Sequence, residues 1–240
     1  MPEGDTLRRA ALQLQVLVGQ KVAVETPHPR AAVKQIAPRL DGLVLESVEA
    51  RGKELFLSFQ GGHVLRSHLR MSGRWRVGPA GSVRAGLPWL VLRGDEHEAV
   101  LWNGPILELD RPRRAAAPDI LAAEPDYDVM VASLRGRPIG EALLDQRLVA
   151  GIGNIWRSEA LWEARVSPWR DDARDDEIRA VLVAAHQRMT ESVAGASRPR
   201  AVYRRPGRAC RRCGTPIRAA GTRTAYWCPE CQRGGTEPKA

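Results

Sequence analysis

The sequence predicts an α+β chain of more than one domain, and three observations carry that prediction. Residues 20–110 hold a succession of short alternating or apolar runs of strand character. Across residues 138–193 the hydrophobic period changes to that of amphipathic helices. All four cysteines then fall between residues 210 and 231, inside a strongly basic stretch.

The chain opens MPEGDTLRRAALQLQVLVGQ, where Leu7, Ala10, Ala11, Leu14 and Val18 recur at helical spacing. Asp5 or Thr6 is placed to cap this helix and Gly19 to close it, so the start of the chain is presented on a packed helix. KVAVET, LVLESVEA, KELFLSF, HVLRSHL, GRWRV, LPWLVLR, AVLWN and ILEL follow as strands, parted by turn residues such as Asp41-Gly42, Arg51-Gly52 and Gly61-Gly62. In KELFLSF, Phe56 faces away from Leu55 and Leu57, so this strand packs on both faces or sits in a sandwich. Strands at this spacing predict an all-β sandwich or barrel.

The segment DRPRRAAAPD (110–119) breaks the pattern and reads as an inter-domain linker. Beyond it, PIGEALLDQRLVA (138–150) reads as a helix ending at Gly151, NIWRSEALWEAR (154–165) as a helix capped by Asn154, and DDEIRAVLVAAHQRMTESV (175–193) as a third, amphipathic helix. The expected division is residues 1–111 for the strand-rich domain, 112–126 for the linker, 127–196 for the helical domain and 197–240 for the terminal module.

With 240 residues and 43% hydrophobic content, the composition suits a globular protein. No run approaches the roughly 18 apolar residues that span a membrane, and Arg8, Arg9, Gln13 and Gln15 make the first helix too polar for a signal peptide. A reducing cytoplasm is the expected compartment. Residues 197–235 carry ten arginines and one acid, Glu230, which equals the whole net charge of +9. Such a block is the footprint of a polyanion partner or of a solvated tail. Its interleaved cysteines, glycines and Tyr226-Trp227 pair favour the former. The chain has only four lysines (21, 34, 53 and 239), a bias expected of a GC-rich genome more than of protein physics.

Cys210 and Cys213, then Cys228 and Cys231, form two C-x-x-C knuckles separated by fourteen residues. That spacing places four thiolates around one tetrahedral Zn²⁺, with Gly214 and Gly221 supplying the turns. A closed set of four ligands leaves no open position, so the metal is structural. Upstream, Gly151-Ile152-Gly153 permits a tight path into the helix at Asn154, whose free N–H groups suit a phosphate. Taken alone, that stretch favours an ordinary helix connection with glycine used for packing; the basic module beside it moves the phosphate reading ahead.

Together MPEGDT, RGKELF, LDQRLVAGIGNIWRSEALW and CRRCGTPI…TRTAYWCPEC resemble the formamidopyrimidine-DNA glycosylase/endonuclease VIII family, in order from residue 1 to about 233. The resemblance implies an N-terminal β-sandwich with flanking helices, a helix–two-turn–helix domain and a C-terminal four-cysteine zinc finger, with DNA in the cleft between. It also implies a monomeric repair enzyme of the bacterial cytoplasm and nucleoid that excises an oxidised base and nicks the strand. The partner would be double-stranded damaged DNA, or single-stranded or bubble DNA. Carried onto this sequence, Pro2 is the nucleophile, Glu3 the acid/base and Lys53 the cleft lysine. Asn154 contacts the lesioned strand, and Arg223 contacts phosphate and takes part in the second elimination. The run HLRMSGRW (68–75) corresponds to the loop that fills the gap left by an extruded base. There Met71 is the apolar wedge or else a core gap-filler, and Arg70 pairs with the orphaned partner base.

These residue types suit the chemistry. Removal of Met1 frees a secondary amine at Pro2, and an α-amine titrates near ~8 against ~10.4 for lysine. The positive end of the following helix lowers that value further. Its adduct with the sugar C1′ is an iminium, an electron sink that acidifies C2′ and lets the 3′ phosphate leave. Glu3 is placed to move protons at the opening sugar. The purine-specific branch carries an Asp-Pro-Arg-Arg-Phe-Gly segment, whereas LWNGPILEL (101–109) has neither its arginine nor its phenylalanine. That departure favours oxidised pyrimidines, although HLRMSG is similar to the purine branch. The alternatives are an abasic-site lyase, a purine glycosylase, or a non-catalytic DNA-binding zinc protein of the same fold.

Overall fold

The computed structural model describes residues 2–82, 86–110, 117–196 and 198–237. Its first helix, α1 (Gly4–Leu14), is capped by Glu3 and not by Asp5 or Thr6. Glu3 has the extended backbone a cap requires (φ −126°, ψ −175°). Thr6 Oγ1 accepts the Glu3 N–H at 3.5 Å, and the Glu3 carboxylate takes the Thr6 N–H in return. Thr6 therefore serves the cap from within the first turn, the reverse of its expected part. The helix buries Leu7, Ala10, Ala11 and Leu14, and the chain then turns away at Gly19 (φ +84°).

All eight expected strands form, with two short helices among them. In order these are β1 (Ala23–Glu25), α2 (Pro29–Ala32), α3 (Ala37–Leu40), β2 (Leu45–Arg51), β3 (Glu54–Phe59), β4 (His63–His68), β5 (Arg74–Pro79), β6 (Leu90–Arg93), β7 (His97–Trp102) and β8 (Ile106–Leu109). They make two antiparallel four-stranded sheets, ordered β1-β6-β7-β5 and β2-β3-β4-β8. One core joins them: Val24, Leu90, Leu92 and Leu101 from the first sheet meet Leu45, Leu55, Leu57 and Phe59 from the second, with Leu7 and Leu14 of α1. This is a sandwich with a helix in its core, not a barrel. Phe56, on the opposite face of β3, is also buried, so that strand is covered on both faces as expected.

The chain divides into two compact units, Met1–Arg114 and Ala115–Ala240, where the sequence suggests two domains, a linker and a separate module. Residues 111–116 of the expected linker lie outside the described residues. The rest of it is not linker: Ile120 and Leu121 are buried in the helical core, and the Ile120 N–H bonds to Ala150 at 3.1 Å. The second unit contains α4 (Tyr127–Leu134), α5 (Ile139–Ala142), α6 (Asn154–Glu163), α7 (Asp175–Val193) and the hairpin β9 (Arg218–Ala220) with β10 (Ala225–Trp227).

The helix expected over 138–150 is only the four residues of α5, followed by turns. Polar side chains take over the backbone there. Asp145 accepts the Arg147 N–H at 2.9 Å, while Gln146 donates to the Leu144 and Ile152 carbonyls and accepts from Gly151. Such local bonds compete with the helical ladder. Nor does Asn154 cap α6. Gly153 holds the extended cap position (φ −120°, ψ −165°), and Asn154 is the first helical residue.

The terminal module docks on α6 through a buried carboxylate. Glu159, 1% exposed, accepts the N–H groups of Ala201, Val202 and Tyr203 at 2.8, 3.0 and 2.9 Å, and Arg188 lies 3.5 Å away. A few residues on, Trp162 joins Val202, Cys210, Ile217 and Cys228 in a small shared core. Glu159→Ala leaves three backbone donors, two of them buried, and an arginine without their acceptor, and is expected to cost about 3–5 kcal/mol. Urea unfolding measures this; a change no larger than that of a surface substitution would remove Glu159 from its structural role.

Candidate active site

Pro2 and Glu3 sit at the amino end of α1, which packs on β2, β3 and β5. Pro2 is half-buried and Glu3 almost wholly enclosed, so neither belongs to a solvated leader. Lys53 occupies the two-residue turn between β2 and β3, where Arg51 pairs with Glu54 and Gly52 takes φ +55°. On the adjoining strand, Arg66 is held between Glu54 and Glu108.

His68, at the end of β4, is a residue the sequence reading missed. Its Nδ1 accepts the Arg70 N–H at 2.9 Å. Burial pushes its pKa below the usual histidine range; Glu54 opposes this, and Arg70, Arg66 and Lys53 add to it. The ring is therefore neutral at pH 7, with its proton on Nε2 as a donor. Its signal in the sequence is the first position of HLRMSG, a polar residue that closes a strand.

The loop after β4 presents both expected gap-filling residues outward. Arg70 is exposed with a left-handed backbone (φ +51°), and Met71 is 68% exposed, so it fills no core gap. Leu69, 1% exposed, anchors the loop, and the Gly73 N–H closes it on the Leu69 carbonyl at 2.8 Å. Gly73 presses against the neighbouring β7–β8 connection: a Cβ there would lie 2.5 Å from Leu69 O and 2.9 Å from Asn103 O.

In the second unit, α6 holds the tip of the β9–β10 hairpin. Asn154 Nδ2 donates to Thr224 O at 3.0 Å, and Arg157, 2% exposed, donates through Nη2 to Arg223 O at 2.8 Å and Thr224 O at 3.0 Å. Arg157 Nη2 also reaches Asn154 Oδ1, and its Nη1 bonds to Gly140 O at 3.2 Å. The carbonyls of the tip thus turn inward while the Arg223 side chain stays exposed. Asn154 and Arg223, distant in sequence, belong to one bonded cluster. Nothing in NIWRSEALW distinguishes Arg157 from a solvated helical arginine.

The four cysteines converge as their spacing implies. Their sulfurs all lie within 4.8 Å of one another, with Cys210–Cys231 at 3.9 Å and both Cys213–Cys228 and Cys213–Cys231 at 3.5 Å. A tetrahedron with Zn–S near ~2.3 Å has sulfur–sulfur edges of about 3.8 Å, so the set fits that ion. Burial and the neighbouring thiols push Cys231 up to about 12. Burial also raises Cys210, but the Arg212 N–H and the Trp162 indole bring it down to about 6. So close a set ionises together only around a cation.

A two-layer sandwich bearing a terminal proline–glutamate pair, joined to a helical unit that holds a four-cysteine hairpin, defines a DNA-repair class of fold. The formamidopyrimidine-DNA glycosylase N-terminal domain matches residues 1–116, and the H2TH domain of the same glycosylase matches residues 116–201. The chain is 34% identical to a probable endonuclease 8 2 of Streptomyces coelicolor over 98% of its own length and 95% of the relative's. It is also 34% identical to the DNA-(apurinic or apyrimidinic site) lyase Nei2 of Mycolicibacterium smegmatis, over 97% and 99%. A formamidopyrimidine-DNA glycosylase of Nocardioides stands at 34% as well, over 97% and 93%. Among solved structures, Lactococcus lactis Fpg in complex with abasic-site DNA superposes with a TM-score of 0.83 at 24% identity, covering 97% of this chain and 100% of that one. The chain belongs to the formamidopyrimidine-DNA glycosylase/endonuclease VIII family.

Because backbone oxygens and not flexible side chains surround Gly73, Gly73→Ala is expected to destabilise the first unit by about 1–3 kcal/mol. It should also displace the Met71 loop. Denaturant unfolding and the Met71 methyl NMR signal test this; an unshifted signal and unchanged stability would show that the loop does not depend on that close approach.

Proposed function

We propose that this chain is a base-excision repair enzyme that removes oxidised bases from DNA, pyrimidines preferentially, and then cleaves the abasic strand. The observation that carries the reading is the Pro2–Glu3 pair: a proline beside an enclosed carboxylate, held immediately before the first turn of a core helix. The family and the printed activities of relatives named endonuclease 8 and abasic-site lyase support the same reading. For pyrimidines, support comes from the short Asn103–Pro105 connection, which offers neither arginine nor phenylalanine where the purine branch carries both.

In this reading, removal of Met1 exposes the Pro2 nitrogen. Its lone pair attacks C1′ of the lesioned nucleotide as Glu3 gives a proton to the opening sugar, and the base departs. The resulting iminium withdraws electrons from C2′, which loses a proton, and the C3′–O bond breaks to release phosphate. A second elimination expels the 5′ phosphate, and hydrolysis of the iminium returns the amine. Lys53 and neutral His68 bind the phosphates flanking the sugar, and Asn154 and Arg223 hold the lesioned strand. Met71 fills the vacated stack and Arg70 meets the unpaired partner base.

Cys210, Cys213, Cys228 and Cys231 would hold a structural Zn²⁺, whose charge lets all four thiolates coexist and cross-links the two knuckles. Chelation is expected to lower the melting temperature and abolish DNA binding, with both restored by Zn²⁺. Four thiols should become reactive on chelation and none before; equal reactivity in untreated protein would contradict the metal site.

Borohydride trapping tests the chemistry. Intact protein should form a covalent adduct with abasic DNA, and Pro2→Gly, with a primary amine, should do so more weakly. Glu3→Gln should slow base release by about 10²–10⁴-fold while still trapping a preformed abasic site. No adduct from protein shown by mass spectrometry to begin at Pro2 would sink the lyase assignment, and a panel of duplexes with single defined lesions decides base preference.

A further inference from the structure

The basic block is less uniform than its composition. Of its ten arginines, six are engaged within the protein. Arg198, Arg218 and Arg233 pair with Glu191, Glu237 and Glu230, and Arg205, Arg211 and Arg212 donate to backbone carbonyls. Among the described residues, Arg200, Arg204, Arg208 and Arg223 have neither a carboxylate nor a carbonyl partner for their guanidinium groups.

Two of these four are pre-positioned. Arg200 and Arg204 flank the Ala201–Tyr203 segment whose three N–H groups are bound by Glu159. The Arg200 guanidinium lies over the Trp156 ring at 4.5 Å from its centroid, and its carbonyl is held by Arg211 at 3.2 Å. Arg204 takes a left-handed backbone (φ +56°), with its guanidinium 5.6 Å from the Tyr203 centroid, and Tyr203 packs edge-on against Tyr226 of β10 at 5.2 Å. A guanidinium lying on an aromatic face keeps its N–H edge available for an anion. The backbone that carries these two is fixed, so little ordering remains to be done on binding.

We propose that Arg200 and Arg204 are a pre-organised pair of contacts to the DNA phosphodiester backbone, additional to Asn154 and Arg223 and independent of the lesion. The proposal rests on the repair reading for its partner. The phosphate chain supplies the complementary charge, and the Trp156 and Tyr203 faces supply the orientation. Glu159 would then act on DNA affinity only through the segment it holds, as a positioning residue.

The test is the salt dependence of binding to an undamaged duplex and to one with an abasic-site analogue, read by fluorescence anisotropy on zinc-loaded full-length protein. Each of Arg200→Ala and Arg204→Ala should reduce the slope of log K against log salt by about 0.9 and weaken both duplexes by the same factor. Arg218→Ala and Arg233→Ala, whose guanidiniums are already paired with glutamates, should change neither. Unchanged zinc content and circular dichroism establish that the variants are folded. An unchanged slope in the folded Arg200 and Arg204 variants overturns the proposal, as does a loss confined to the damaged duplex. Borohydride trapping by the unsubstituted protein reports separately on the repair reading: adduct formation with unchanged variant slopes rejects this pair alone.

Discussion

The second unit depends on one buried carboxylate. Glu159 lies inside α6, where an unpaired charge would cost several kcal/mol; three backbone N–H groups and Arg188 offset that cost. The donors come from the stretch that leads into the cysteine module, so satisfying the charge and docking the module are one event. The rest of α6 is organised around the same surface. Asn154 and Arg157 hold the hairpin tip, and Trp162 donates its indole N–H to Cys210 at 3.5 Å. A module of about forty residues buries too little to be stable alone, and a helix face with four separate fastenings replaces the missing core.

The first unit solves a related problem at the chain start. A nucleophile at a terminus is useless if the terminus frays. Here the residue after Pro2 is the helix cap, and the helix it caps contributes Leu7 and Leu14 to the core between the sheets. The carboxylate proposed to react and the structural cap are therefore the same residue. That proposed double role constrains substitution, because a change to Glu3 that breaks the cap would alter both proton transfer and the position of the amine beside it. Only a near-isosteric replacement separates the two effects.

Much of this architecture was legible in the sequence, for identifiable reasons. The eight strands were visible because alternation and turn glycines are local, and the cysteine hairpin because two C-x-x-C pairs are chemically unmistakable. What failed to show was decided by distant partners or by side chains bonding to their own backbone. Asp145 and Gln146 end the helix expected through 150, and neither reads as a breaker. Asn154 has the chemistry of a cap yet commits its amide to Thr224, leaving the cap position to Gly153. Glu159, Arg157 and His68 look like ordinary surface residues until residues far along the chain, or the fold around them, enclose them.

The arginine bias takes on a different meaning in this light. A GC-rich genome accounts for the excess across the chain, but not for where particular arginines stand. Arg157, Arg205 and Arg212 each span separate carbonyl oxygens with the two arms of one guanidinium, Arg212 joining Trp162 and Glu163 and Arg205 joining Ala201 and Ala209. A lysine, a single point of charge on a flexible stem, could not bridge two carbonyls in one fixed plane. These arginines act as fasteners of a domain too small to close on itself, and their charge, partly taken up by carbonyls, is less available to a polyanion. The net charge of +9 therefore overstates the surface offered to DNA. The surface proposed to meet the duplex is the subset whose guanidiniums the protein orients without occupying.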